Sequence, residues 1–416
     1  MGDIIDEERC GAYTYGCERQ LCDKSKDREN EPMTINACFE QGPIRPPSEA
    51  KSLLIRPTRN CPWNKCAFCH TYRDTRFELR SVEEIKKDID AVRDLADQIG
   101  ETSWKLGQGG KVNDAVVSQI FGNEALFGDP LRHVAAWLYF GGQTAFLQDA
   151  DTLIMKTDDL LEVLRYLKEK FPDIRRITSY CRSKTARHKS VEDLRRIRQA
   201  GLVRIHVGLE SGSDDVLKFI RKGATAADHI EGGQHLVAAG ISLCEYVMPG
   251  LGGQRWSREH AVETARVLNE IKPDHIRLRT LSVRRGTALY EMMQQGEFHP
   301  IGDEEILEEI RLFIEHLDGI ESRIVSDHIL NLLEELEGKL PEDKEKLLGI
   351  IDRYFAMAEE DRLIFRLGRR RGIYRSLDDL SEPNTYMQLK EGVERYQREE
   401  PGKLDRDLDR IRQNFI

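Results

Sequence analysis

Between Gly141 and Leu281 short apolar runs alternate with amphipathic stretches, and this alternation restricts the possible folds more than any single motif. The spacing predicts strands over 144–148, 174–181, 202–209, 241–248 and 275–281. Helices are predicted between them, over 157–170, 190–200, 213–221, 226–239 and 257–271. A further strand is expected at about 52–57. Strands separated by helices pair in parallel through right-handed crossovers. Six such units make an open, six-stranded α/β barrel.

The strands are two-faced. Parallel strands buried on both faces read as continuous apolar runs, and these do not. Val203, Ile205, Val207 and Leu209 share one face, while Arg204, His206 and Glu210 share the other. Ile241, Leu243, Glu245 and Val247 lie opposite Ser242, Cys244, Tyr246 and Met248. His275, Arg277 and Arg279 alternate with Ile276 and Leu278. Apolar faces should meet the helices and polar faces should line a lumen. Arg56, Arg204, Arg277 and Arg279 then suit an anionic group, because a guanidinium fork matches carboxylate or phosphate. An internal Arg–Glu network bracing the barrel is the competing reading, since buried charges are normally paired. Arg204, His206, Glu245, Arg277 and Arg279 are the candidate substrate-binding residues.

Directly after the first strand comes Cys61-Pro-Trp-Asn-Lys-Cys66-Ala-Phe-Cys69. In a β/α barrel the loop after a strand lies on the working face. Three thiolates this close are soft ligands for a metal or an iron–sulfur cluster. A zinc site closed by His70 is one reading, although closed zinc sites usually come as two separated ligand pairs. A two-iron cluster also begins Cys-x4-Cys-x2-Cys, but no fourth cysteine follows until Cys181. Reduced thiols gathered by coincidence are a third reading. A four-iron cluster with one iron left open is the fourth.

The cysteine loop resembles that of the radical SAM superfamily, with Phe68 as the aromatic residue before the last cysteine. Its first gap is one residue longer than the usual Cys-x3-Cys-x2-Cys. Val207-Gly-Leu-Glu210-Ser211-Gly-Ser213 resembles a stretch of the coproporphyrinogen-dehydrogenase, methylthiotransferase and Elongator-type clan. Met248-Pro-Gly-Leu-Gly-Gly-Gln254 and Arg285-Gly-Thr-Ala-Leu-Tyr290 resemble later turns of that clan. The resemblance covers about residues 45–300 and implies a partial (β/α)6 TIM-like barrel. It implies that Cys61, Cys66 and Cys69 hold a [4Fe-4S] cluster. S-adenosylmethionine would then be cleaved reductively to a 5′-deoxyadenosyl radical that takes a hydrogen atom from substrate. By the same resemblance, Phe68, Glu210, Ser211 and Gly250 bind the cofactor. Gln148, Asp149 and Asp151 stand where the family carries Gly-Gly-Glu-Pro, without its glycines. Tyr180, Cys181, Arg182 and Tyr246 are lumen candidates for catalysis. A flavodoxin- or ferredoxin-like protein would supply the electron, and a small molecule is the expected substrate. Methyl or methylthio transfer to RNA or a tetrapyrrole is the runner-up within the enzyme class. An electron-transfer iron–sulfur protein or a zinc-stabilised binding protein is the rival outside it.

Three regions follow: an N-terminal extension over 1–45, the barrel over 46–300 with a helical insertion at about 103–140, and a C-terminal helical region over 301–416. The insertion either covers the site or packs on the barrel rim. The extension reads as a loosely held tail, although Cys10, Cys17, Cys22 and Cys38 leave a second cluster open. Ser81 and Glu84 form a capping box ahead of a helix. Beyond the barrel, helices are expected over 304–317, 320–336 and 342–357. The basic run Arg366–Arg375 reads either as a solvated patch balancing acidic helices or as an RNA contact. The net charge of −10 gives no global basic field for nucleic acid. No stretch is long and apolar enough to span a bilayer, and the acidic start lacks a secretory signal. Nine cysteines without regular spacing favour a reducing cytoplasm over disulfide staples.

Overall fold

The computed structural model describes residues 38–122, 129–399 and 403–414. Strand β1 is Leu53–Ile55. The short β2 (Thr58–Arg59) and β3 (Glu78–Leu79) pair antiparallel and bracket the cysteine loop. β4 (Thr144–Leu147), β5 (Arg176–Cys181), β6 (Leu202–Glu210), β7 (Ser242–Val247) and β8 (His275–Leu278) follow, each separated from the next by helix. β9 (Arg323–Val325) and β10 (Gly338–Lys339) complete the set. The main sheet has the order β1-β4-β5-β6-β7-β8-β9-β10. Pairing is parallel from β1 to β9, and β10 runs antiparallel at the far edge. β1 and β10 remain as edges, so this is an open α/β barrel. Ser48 Oγ lies 3.3 Å from Arg277 Nη1, which brings the segment before β1 against β8.

The six expected strands are present, and the sheet continues past them. The helix expected over 320–336 is instead β9 and a loop. Ile324 pairs in register with Ile276 and is fully buried, with exposed Arg323 and partly buried Val325 on either side. β-branched residues suit a half-buried strand, and pairing with β8 outweighs the helical spacing of the leucines that follow. The loop is fastened by Asn331. Its Oδ1 accepts from the Thr280 amide and hydroxyl, and its Nδ2 donates to the Leu278 carbonyl.

The predicted capping box is formed, opening the helix Val82–Lys105. The insertion folds as helices Asp114–Phe121 and Asp129–Tyr139. The second of these packs beside β1, the first packs on the second and on the helix Val82–Lys105, and Val116, Ile120, Val134 and Trp137 are buried. His133 Nε2 accepts the Leu54 amide at 3.3 Å, which satisfies a donor on that open edge. Residues 38–45, expected in the loose extension, are packed. Phe39 is buried, and Gln148 binds the Gly42 amide and the Gly42 and Ile44 carbonyls. Cys10, Cys17 and Cys22 lie outside the described residues.

The basic run is divided, with Arg371 and Arg375 exposed and the other three arginines buried. Arg366, Arg369 and Arg370 are buried on the helix Glu359–Arg370. Arg369 donates to the carbonyls of Asn331, Leu332 and Tyr374, and Arg370 to that of Leu330. Asp303 receives Arg370 at 2.6 Å and Arg412 at 3.3 Å, with Arg366 at 3.5 Å. Burial alone would raise the Asp303 carboxyl. The three guanidinium groups outweigh it and hold the carboxyl at about 2.

Candidate active site

The cysteine loop is stitched across the barrel mouth by backbone bonds. The Ala67 amide donates to the Ile220 carbonyl at 2.8 Å, and the Ala67 carbonyl accepts from the Leu289 amide at 2.9 Å. The Trp63 indole donates to the Arg221 carbonyl at 2.7 Å. Gly223, at φ +70°, lies under that ring so closely that a Cβ would sit 2.3 Å from it. Asp149, at φ +70° just past β4, grips both ends of the loop. It accepts Arg56 Nε at 2.5 Å, the Asn60 amide at 3.1 Å and the Tyr72 hydroxyl at 3.0 Å.

Cys61, Cys66 and Cys69 line one cavity of about 280 Å³ with the C-terminal ends of the strands. Ala150 follows β4, Tyr180 to Ser183 end β5, and Gly208 and Glu210 end β6. Tyr246 and Met248 come from β7, and Arg279 to Ser282 follow β8. Among the described residues no three His, Cys, Asp or Glu side chains gather tightly enough to hold one metal ion. The three cysteine side chains border the cavity, and soft thiolates are the donor set that an iron–sulfur cluster takes. Burial pushes the Cys66 thiol up to about 11, with Lys222 pulling the other way.

Of the residues singled out from sequence, Phe68, Tyr180, Cys181, Arg182, Glu210, Tyr246 and Arg279 reach this cavity with the three cysteines. Glu210, at φ +64°, accepts Lys222 Nζ at 3.1 Å. Burial alone would lower the Lys222 ammonium, but Glu210 and Cys66 raise it. Burial pushes the Tyr246 hydroxyl up to about 12 and raises the Tyr180 hydroxyl well above its ordinary value, so both stay protonated. Phe146, Tyr180, His206 and Tyr246 form a ring cluster across the lumen, with Phe146 and Tyr180 edge to face at 5.1 Å.

Other candidates do not line the cavity. Gln148 and Asp149 are occupied as described, and Asp151 accepts the Thr185 hydroxyl at 2.5 Å and the Arg182 amide at 3.4 Å. Ser211 Oγ lies 2.8 Å from His260 Nδ1, and the Gly250 amide donates to Glu309 at 2.7 Å. His206 is buried beneath the cavity, and burial with nearby arginines drops its ring to about 3. Glu245 is fully buried on the helix-side face of β7, between Leu243 and Val247, and burial raises its carboxyl. Arg277 is held by Asp327 at 2.9 Å, and Arg204 by Ser242 at 3.2 Å. Arg56 and Arg277 are paired with carboxylates inside the fold, as the internal-network reading expects.

Lys222, Arg284, Tyr72 and Leu330 line the cavity without having been singled out. Lys222 had a weak signal, since it lies nine residues past Ser213, where a stretch resembling the clan ends. Leu330 had none, because the loop carrying it looks helical in sequence.

The sequence pattern of the Radical SAM superfamily matches residues 131–265, which span β4 to β7 and begin after the cysteine loop. A tRNA uridine(34) acetyltransferase from Methanocaldococcus infernus is 23% identical over 290 residues, covering 68% of this chain and 52% of that protein. One from Methanocaldococcus jannaschii is 28% identical over 118 residues, covering 28% of this chain and 22% of that protein. The chain thus spans about half, or less, of the curated relatives it matches. The solved structure of OxsB, a cobalamin-dependent S-adenosylmethionine radical enzyme, has a TM-score of 0.44 and 13% identity. That alignment covers 88% of this chain and 59% of OxsB. No helix among the described residues is long and apolar enough to cross a membrane. The family match lies on the strands that wall the cavity, so this part of the chain resembles the Radical SAM superfamily, whose cofactors are a [4Fe-4S] cluster and S-adenosylmethionine.

Proposed function

We propose that Cys61, Cys66 and Cys69 hold the cluster and that the cavity beside them is where a substrate C–H bond is broken. The observation that carries this reading is the shared wall: three thiols and the ends of five successive parallel strands border one cavity. When bound, the cluster and S-adenosylmethionine supply reductive cleavage of a carbon–sulfur bond and a carbon radical. The chain's own residues bind, orient and exclude water. Glu210 and Lys222 are the charged pair available to the polar end of the cofactor, with Phe68 beside them. Tyr180 and Tyr246 keep their protons and turn ring faces and hydroxyls toward substrate. Cys181 and Arg182 border the same space. The working unit in this reading is 38–339, because Ile44 and Leu330 both reach the cavity.

Anaerobic reconstitution with iron and sulfide tests the proposal. A brown protein that forms 5′-deoxyadenosine from S-adenosylmethionine with dithionite is the expected result. A colourless zinc protein would sink it, and a brown protein without that product would leave only electron transfer. Low-potential chemistry of this kind also suits a reducing cytoplasm and a flavodoxin- or ferredoxin-like donor.

A second reading, action on tRNA, draws on the printed name of the two relatives. Methyl or methylthio transfer to RNA falls under it. Incubation with bulk tRNA, followed by nucleoside analysis for a new modification, decides between it and a free small molecule.

A further inference from the structure

We propose that the molecule transformed in this cavity carries a carboxylate or phosphate group and that Arg279 binds it. The proposal rests on reading the cavity as the substrate chamber, and it supplies the chemical class which that reading leaves open.

The arginines on the polar strand faces have been sorted by the fold. Arg56 is matched by Asp149 and Glu40, and Arg277 by Asp327. Arg279 leaves the end of β8, where its amide donates to the Val247 carbonyl at 2.9 Å, and its side chain borders the cavity. Among the described residues that side chain makes no ion pair and no hydrogen bond. Arg284 lies near enough to feel its charge, and the rings near it, His70, Tyr180, Tyr246 and His328, are neutral. Four cationic side chains, Arg182, Lys222, Arg279 and Arg284, line the cavity against one carboxylate, Glu210. Lys222 already neutralises that carboxylate at 3.1 Å. Arg279 is exposed on the cavity wall, so its guanidinium is solvated and open to a ligand. Its planar fork fits a carboxylate or phosphate through paired hydrogen bonds. An acidic group on a ligand entering the cavity would meet that fork.

Isothermal titration of the reconstituted full chain with malonate, and separately with inorganic phosphate, reads the site. Binding of at least one ion is expected, weakened about tenfold in Arg279→Gln and partly restored in Arg279→Lys. The surface control Arg311→Gln should bind as the wild type does. Melting curves check that each variant is folded. Equal affinity in a folded Arg279→Gln, or no binding of either ion by the wild type, overturns the proposal. A tRNA transcript provides the second arm. If its affinity falls by the same factor in Arg279→Gln, the acid belongs to a nucleic acid, and if it is untouched, to a free small molecule. Titration needs no turnover. Failure to form 5′-deoxyadenosine alongside an anion site lost in Arg279→Gln therefore removes the activity and leaves this site standing.

Discussion

Asp149 accepts the Tyr72 hydroxyl at 3.0 Å on one carboxylate oxygen and the Asn60 amide at 3.1 Å on the other. One buried side chain thereby brackets Cys61, Cys66 and Cys69, with Asn60 before the first and Tyr72 after the last. Groups that orient metal ligands without touching the metal typically carry 10–100-fold in affinity. Asp149→Asn keeps a residue that tolerates positive φ and removes the charge. It should lower iron affinity about tenfold in chelator competition and alter the electron paramagnetic resonance line shape of the iron that remains. Tyr72→Phe, which removes one bond of the three, should act in the same direction and less strongly. An unchanged spectrum and full iron in Asp149→Asn would show that the loop holds its shape without this clamp.

Gly223 is required twice over. Its φ of +70° disfavours any side chain, and a Cβ would meet the Trp63 ring at 2.3 Å. Gly223→Ala should lift Trp63 from the Arg221 carbonyl and loosen the loop between Cys61 and Cys66. Reconstituted iron should fall, and the tryptophan emission should shift to the red. Full iron loading in Gly223→Ala would contradict this.

The ligand assignment separates the cysteines. Cys66→Ala should abolish cluster assembly, read as loss of the brown colour and of bound iron. Cys17→Ala should leave iron per chain unchanged. Substantial iron loss from the Cys17 change alone would mean a second cluster in the N-terminal segment.

Stability at acid pH should depend on Asp303. Burial opposes its charge, and Arg370, Arg412 and Arg366 together hold the carboxyl at about 2. A carboxyl depressed in the folded state stabilises the fold above its unfolded pKa of about 4. That contribution is lost as pH falls from about 4 to about 2. Asp303→Asn leaves buried guanidinium charges uncompensated and should cost about 3–5 kcal/mol at neutral pH. Urea denaturation at pH 7 and pH 3 checks this, and the gap between the two proteins should narrow at the lower pH. A gap of the same size at both values would separate Asp303 from the acid sensitivity.

The parts of the molecule legible in sequence are those whose signal is local. The strand–helix alternation gave the six parallel strands to within a few residues. Ser81 and Glu84 gave a helix start, because a capping box is closed within four residues. The residues misassigned are those whose partners lie far along the chain. Ile324 belongs to a strand because Ile276 is beside it, 48 positions earlier. Arg369 and Arg370 look like a surface patch until the carbonyls of 330–332 are brought against them. Asp149 and Asp151 looked available to a cofactor, and only the fold reveals that Tyr72, Arg56 and Thr185 already occupy them.

By itself the sequence determined the order of strands and helices and the close spacing of three cysteines, since side-chain period and cysteine spacing are set by covalent order. Tertiary structure decided which polar side chains were left over. Whether a guanidinium is spent or available depends on which carboxylate reaches it, and that distance is fixed only when strands remote in sequence are packed together. Arg277 found Asp327, while Arg279, two residues on, came to the cavity wall with its charge unmet by any described side chain.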